Sequence, residues 1–293
     1  SHESAVKGLK VVPRVQKTSD LLAVSDAARK KLEALPERVS FARKLPNGAN
    51  PPGNAPDEQL GYFLKVTKLE TAEEGVLFSQ LWATGNHPHI AEVLLGDPET
   101  RHEFGKNVDM RCLALPGVTS YRIENLSATD TEKALEAVAL VPGLRMLTLF
   151  KCDLPADWLK RLNFSHPNCR LVRLEVQNCS LAGKNGGALL DKDMNVLAGK
   201  SSLKYLTLDD EHQLTGKGLA ILLDGPIQIL RLDDFKAVDQ GFASLETWDA
   251  ILKKNAKLKV YMNFDYRIKD KDPKDLDEKQ KMYRGYAMTI HSI

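Results

Sequence analysis

"LVRLEVQNCSL" occupies residues 171–181, and a near copy, "LRMLTLFKCDL", occupies 144–154. In the first, apolar or thiol side chains stand at Leu171, Leu174, Val176, Cys179 and Leu181; in the second, at Leu144, Leu147, Leu149, Cys152 and Leu154. The opening gap is too wide for strict strand alternation, and the later spacing is too irregular for a helix. A short parallel strand followed by a tight bend accommodates both. The second and third apolar positions alternate inward along the strand. The cysteine sits beneath the bend, where a small side chain fits, and the last leucine begins the return. A helix then carries the chain back across a second layer. One such unit cannot bury its apolar edge alone, so units must stack.

Related strings begin at 118 ("VTSYRI"), 203 ("LKYLTL"), 227 ("IQILRL") and 258 ("LKVYMN"). Recurrence every two to three dozen residues is the mark of a repeat architecture. The pattern resembles the leucine-rich repeat family, L-x-x-L-x-L-x-x-N/C-x-L, over about 118–268. "LKYLTLDDEHQLTGKGLAILL" (203–223) is similar to the cysteine-containing, ribonuclease-inhibitor-like subtypes, with Leu214, Thr215, Gly218 and Leu219 in the places that lead into the helix. Glu211 and Phe235 stand where Cys or Asn is usual, and the periods are uneven. The resemblance implies an α/β fold: a short, irregular leucine-rich repeat solenoid of parallel strands and helices.

Before the repeats, residues 1–105 read as a helical N-terminal region. "SDAARKKLEAL" (25–35) is bounded by Ser25 and Pro36. Thr71 and Glu74 form a capping box ahead of Val76, Leu77, Leu81 and Trp82. "HIAEVLL" (89–95) follows Pro88 and reads as a further helix, and Pro98 opens another. Residues 45–56, with four prolines, two glycines and three asparagines, form a loop or linker. The repeat arc is assigned to 106–268. "MRCLAL" (110–115) is expected to be an antiparallel strand covering its open end, since a bare edge invites aggregation. Residues 269–293 form a charged cap: "KDKDPKDLDEKQK" carries ten charges in thirteen residues and leads to a final strand, "GYAMTI".

Composition narrows function. A formal net charge of +2 across 293 residues gives no broad attraction to nucleic acid or anionic membrane. No run of apolar residues is long enough to span a bilayer, and no secretory core opens the chain. Cys112, Cys152, Cys169 and Cys179 make no C-x-x-C pair and read as buried thiols, which suits the cytoplasm. Gly199-Lys200-Ser201 lacks the first glycine of a phosphate loop, with Met194 in its place. "DKDPKDLDE" lacks the central glycine of a calcium loop. His87 and His89 lack the further ligands a zinc site needs. No cofactor or metal is expected.

The strand positions that point away from the core carry the functional reading. They include Phe150, Arg173, Glu175, Tyr205, Asp209, Asp210, Arg231, Asp233 and Asp234. Asp209-Asp210 and Asp233-Asp234 fall at matching places in neighbouring repeats, about 4.8 Å apart across the strands. Their mutual repulsion would be relieved by a basic partner. The expectation is a non-catalytic protein–protein interaction module that grips a protein with a basic patch. Substrate adaptors of ubiquitin ligases with similar repeats, or an effector acting in a host cytoplasm, are variants of this reading. An enzyme with its site around His87, His89 and Glu92 is the alternative of another class.

Overall fold

The computed structural model describes residues 18–35, 37–44, 61–82, 90–162, 170–181, 187–209, 214, 216–223, 225–233, 257–263 and 274. These form a mixed α/β structure around one nine-stranded sheet. Its strands are β1 (Val39–Lys44), β2 (Gly61–Val66), β3 (Ile90–Gly96), β4 (Ser120–Glu124), β5 (Met146–Phe150), β7 (Arg173–Gln177), β9 (Tyr205–Asp209), β10 (Ile229–Asp233) and β11 (Lys259–Asn263), side by side in that order. Only the β1–β2 pair is antiparallel; every later pair is parallel. Two short strands, β6 (Asp153–Leu154) and β8 (Ser180–Leu181), pair separately, also in parallel.

The self-similar strings fall in strict register. Tyr121, Leu147, Leu174, Leu206 and Leu230 are successive partners, as are Ile123, Leu149, Val176, Leu208 and Leu232. All ten are at most 1% exposed. Truncating one of the leucines to alanine removes roughly 2–5 kcal/mol, because a close-packed row cannot collapse into the gap. Helices α2 (Ala72–Trp82), α3 (Ala128–Ala139), α4 (Trp158–Arg161), α5 (Met194–Ala198) and α6 (Gly216–Leu223) supply the crossovers, behind an initial α1 (Thr18–Glu33). α3 starts at Ser127, whose hydroxyl accepts from the Asp130 N–H at 3.3 Å. The α4 indole, Trp158 Nε1, donates to the Ala188 carbonyl at 3.0 Å and so ties two return segments together.

The bends beyond the strands repeat as well. Asn125, Lys151 and Asn178 all have φ between 52° and 54°. Their N–H groups donate to the carbonyls of Phe150, Gln177 and Asp209, each on the next strand, at 2.8, 2.9 and 3.2 Å. The left-handed turn thus extends the ladder by one bond. Cys152 and Cys179 lie just past it, 1% and 3% exposed. The Cys152 thiol donates to the carbonyls of Ile123 and Phe150, and that of Cys179 to Gln177, each at 3.4 Å. Both carry free thiols, as does Cys112. Gly96 ends β3 at φ 95°, and a Cβ there would lie 2.0 Å from the Glu124 carbonyl oxygen, so the position needs glycine on both counts.

Four secondary-structure expectations for the N-terminal half are corrected. The region is not wholly helical: β1, β2 and β3 lie in it, while α1 and α2 stand near the helices read there. Residues 90–96 are strand β3, because Val93 and Leu95 alternate inward and β2 and β4 take up their backbone groups on both sides. The β3–β4 ladder joins residues on either side of position 105. Pro98 does not open a helix, since the Asp97 carboxylate captures the N–H groups of Glu99 and Thr100 at 3.0 and 3.1 Å and holds a turn. Residues 110–113 form a 3₁₀ helix rather than an antiparallel strand. There Tyr121 Oη donates to the Leu113 carbonyl at 2.8 Å and accepts from the Leu115 N–H at 2.9 Å, taking the groups a strand would need. An antiparallel strand does end the sheet on that side, but it is β1. The 45–56 loop, the 269–281 charge run apart from Lys274, and the strand expected at 285–290 lie outside the described residues.

Lys151 is the one non-amide side chain among the three left-handed bends, where an ordinary residue costs roughly 1–2 kcal/mol. Lys151→Asn should raise the urea midpoint, with an unfolding free energy larger by an amount approaching ~1 kcal/mol, whereas Lys151→Ala, equally strained, should not. Equal midpoints for the two variants would show that the bend carries no backbone strain.

Candidate functional site

Alternation gives the sheet two unlike faces. One holds the leucine rows beneath the helices; the other is left open by the described residues. On the open face three rows run across the strands. The first is Ser120, Met146, Arg173, Tyr205, Ile229 and Lys259. The second is Arg122, Thr148, Glu175, Thr207, Arg231 and Tyr261. The third is Glu124, Phe150, Gln177 and Asp209, whose backbone ladder continues through Asp233 and Asn263. Met146, Tyr205 and Tyr261 are among the most exposed large apolar residues, at 40%, 39% and 39%. A shallow hollow of about 340 Å³ lies at the leading ends of β5, β7 and β9, lined by Thr119, Arg145, Met146, Val172, Arg173 and Tyr205.

The middle of the face is internally paired. Glu175 accepts from Arg173 Nε at 2.6 Å, and from Thr148 Oγ1 and Gln177 Nε2 at 3.2 Å each. Arg122 Nε forms the same two-residue pair with Glu124. Glu124 is only 2% exposed, and its Oε2 has no partner among the described residues. Glu92 lies near this cluster on β3. Burial pushes its carboxyl above the usual glutamate range, against the pull of the Arg122 guanidinium and a bond from Ser120. Farther along, Asn178 Nδ2 donates to Asp209 Oδ2 at 2.9 Å. The Lys151 ammonium sits 5.0 Å from the centre of the Phe150 ring.

The residues singled out from the sequence are therefore placed as follows. Phe150, Arg173, Glu175, Tyr205, Asp209 and Arg231 lie on strands of this sheet, at the positions of the open face. Asp233 is the direct partner of Asp209 in the ladder, so those two places adjoin as expected. Asp210 and Asp234 lie outside the described residues, as do His87 and His89. Arg122 and Glu124 were not among the expected site residues, although "VTSYRI" (118–123) already holds Arg122 and Glu124 follows it directly. Glu92 was assigned to a helix, which concealed its place on the face.

A second, polar cleft of about 520 Å³ lies beyond the ends of β2 and β3, lined by residues that include Arg38, Lys68, Asp97 and His102. Its charges are largely engaged. Arg38 pairs with Glu70 and Glu74, Lys68 with Glu70, and Lys65 with Asp97 at 2.6 Å. The Lys65 ammonium and the two turn N–H groups hold the Asp97 carboxyl down to about 2. Among the described residues, no group of three or more His, Cys, Asp or Glu side chains is placed to hold a metal ion. No helix of the described residues is long and apolar enough to cross a membrane.

Asp97 and Glu92 should give opposite pH signatures. Asp97 is depressed, so its stabilising share is present above the unfolded value near 4 and is lost as pH falls toward about 2. Glu92 is raised, so its share is present below the unfolded value near 4.5 and is lost as pH climbs through its folded value. In urea titrations from pH 2 to 7, Asp97→Asn should flatten the acid limb, and Glu92→Gln should flatten the loss between acid and neutral pH. Parallel curves for wild type and both variants would contradict these environments. Among known proteins, no family model matches the chain, and no curated protein matches it.

Proposed function

We propose that the chain is a non-catalytic interaction module, built as a short, irregular leucine-rich repeat arc, which binds a protein partner through the open face of its sheet. The single observation that carries this is the neighbouring trio Met146, Arg173 and Tyr205, exposed side by side on three successive strands. Aromatic, methionine and arginine side chains are the types enriched where proteins meet. Met146 and Tyr205 remain exposed among the described residues, and a partner could desolvate them together. The repeat reading is supported by the matched register of the leucine rows and by the recurring left-handed bends. Asp209 and Asp233, with Asp210 and Asp234 next to them in sequence, supply negative charge for a basic patch on the partner. The free thiols of Cys112, Cys152 and Cys179 suit a reducing, cytoplasmic setting.

The test is site-specific photocrosslinking. A photoreactive amino acid at Tyr205 on the open face should capture a defined partner, identified by mass spectrometry. The same residue at Val196, exposed on α5, should not. Lysines in place of Asp209, Asp210, Asp233 and Asp234 should weaken the captured partner's affinity by about tenfold or more, about 1.4 kcal/mol. Capture from Val196 but not Tyr205 would reject the face. Undiminished affinity in the lysine variant would remove the acidic residues from it.

A further inference from the structure

The open face is charged in opposite senses at its two ends. The lead-ins to β4, β5, β7, β9, β10 and β11 (118–120, 144–146, 170–173, 203–205, 227–229 and 257–259) carry Arg145, Arg170, Arg173, Lys204, Lys257 and Lys259, and no carboxylate. At the trailing ends Asp209 and Asp233 are ladder partners in the third row, whereas Glu124 in the same row is buried and paired to Arg122. Four strand residues separate the two ends, about 13 Å at 3.3 Å per residue. The apolar hollow lies at the basic end. Arg145 lines it, and its guanidinium takes no ion pair among the described residues. Arg173, on the middle strand of the hollow, is already paired to Glu175.

We infer that this basic leading edge recognises an acidic peptide segment in which a large apolar residue stands next to carboxylates. The apolar side chain fills the hollow against Met146, Val172 and Tyr205, while the carboxylates meet Arg145 and Lys204. The inference rests on the open face being a protein-binding surface, and it gives the polarity of what is bound. A segment lying along the strands would carry negative charge over the leading ends and positive charge over the trailing ends. A nucleic acid fits less well. Its uniform negative charge would be repelled by the acidic ends about 13 Å away, and the Met146–Val172 floor offers it no hydrogen bonds.

Fluorescence anisotropy with the full chain tests this. The probes are a short labelled peptide with phenylalanine flanked by aspartates, the same peptide with lysines for the aspartates, a version with glycine for the phenylalanine, and a single-stranded oligonucleotide. The acidic phenylalanine peptide should bind most tightly, with the lysine version weaker by about tenfold or more. Losing the phenylalanine, or Met146→Ser, should weaken it severalfold. Arg145→Glu with Lys204→Glu should weaken it about tenfold or more, while Lys160→Glu, exposed on α4, should leave it unchanged. Circular dichroism confirms that each variant folds. Absence of peptide binding, equal binding of the lysine version, indifference to Arg145→Glu with Lys204→Glu, or tighter binding of the oligonucleotide would each overturn the inference. Continued photocrosslinking from Tyr205 in that case would leave the face as a binding surface and reject only its proposed polarity.

Discussion

Register between parallel strands is the constraint on which the rest depends. Side chains alternate with a period of two, so a slip of one residue would bring Thr148 and Glu175 into the core and turn Leu147 and Leu174 out. Such a slip would bury charge against the helices, at a cost that the leucine rows could not offset. The left-handed bends fix the same register a second time. Each bend N–H must find the last carbonyl of the following strand, as Lys151 finds Gln177. The thiols of Cys152 and Cys179 then satisfy carbonyls beneath the bend without needing space for a larger polar group. Ladder, bend and thiol therefore specify one alignment.

That alignment explains why some of the fold was legible in the sequence and some was not. The strands from β5 to β11 were readable because leucine positions, bend and return recur, and no single helix or strand period reproduces that composite. β3 was not readable, because Ile90, Val93, Leu94 and Leu95 satisfy helical spacing as well as strand alternation. Only the flanking strands decide between the two, and both come from elsewhere in the chain. Residues 110–115 show a different override. Their alternation suits a strand, but the Tyr121 hydroxyl, contributed from β4, claims the Leu113 carbonyl and the Leu115 N–H. A side chain eight and six residues away in sequence thus settled the local conformation.

For the face, position was legible and pairing was not. The strand pattern placed Arg173, Glu175 and Tyr205 on one surface. It did not reveal that Glu175 would be held by Thr148 from the neighbouring strand as well as by Arg173 and Gln177. Such bonds depend on rotamers and on the strand alongside, neither of which a single segment encodes. The same holds for Glu124. Its strand position follows from the sequence, but its near-complete burial and its pairing with Arg122 do not.

The arrangement of pairs bears on where specificity resides. Arg122 with Glu124 and Arg173 with Glu175 repeat one device, a cation and an anion two residues apart on the same side of a strand. Each cancels charge locally, so the centre of the face presents little net field to an approaching partner. Toward the β9 and β10 side that cancellation lapses, with basic lead-ins at one end of the strands and the adjoining places of Asp209 and Asp233 at the other. A partner of uniform charge gains at one end what it loses at the other. A partner with charges of both signs gains at both, but only in one orientation. Specificity then comes from the spacing of unlike charges along the strands, while Met146 and Tyr205 supply the apolar contact that holds the aligned partner in place.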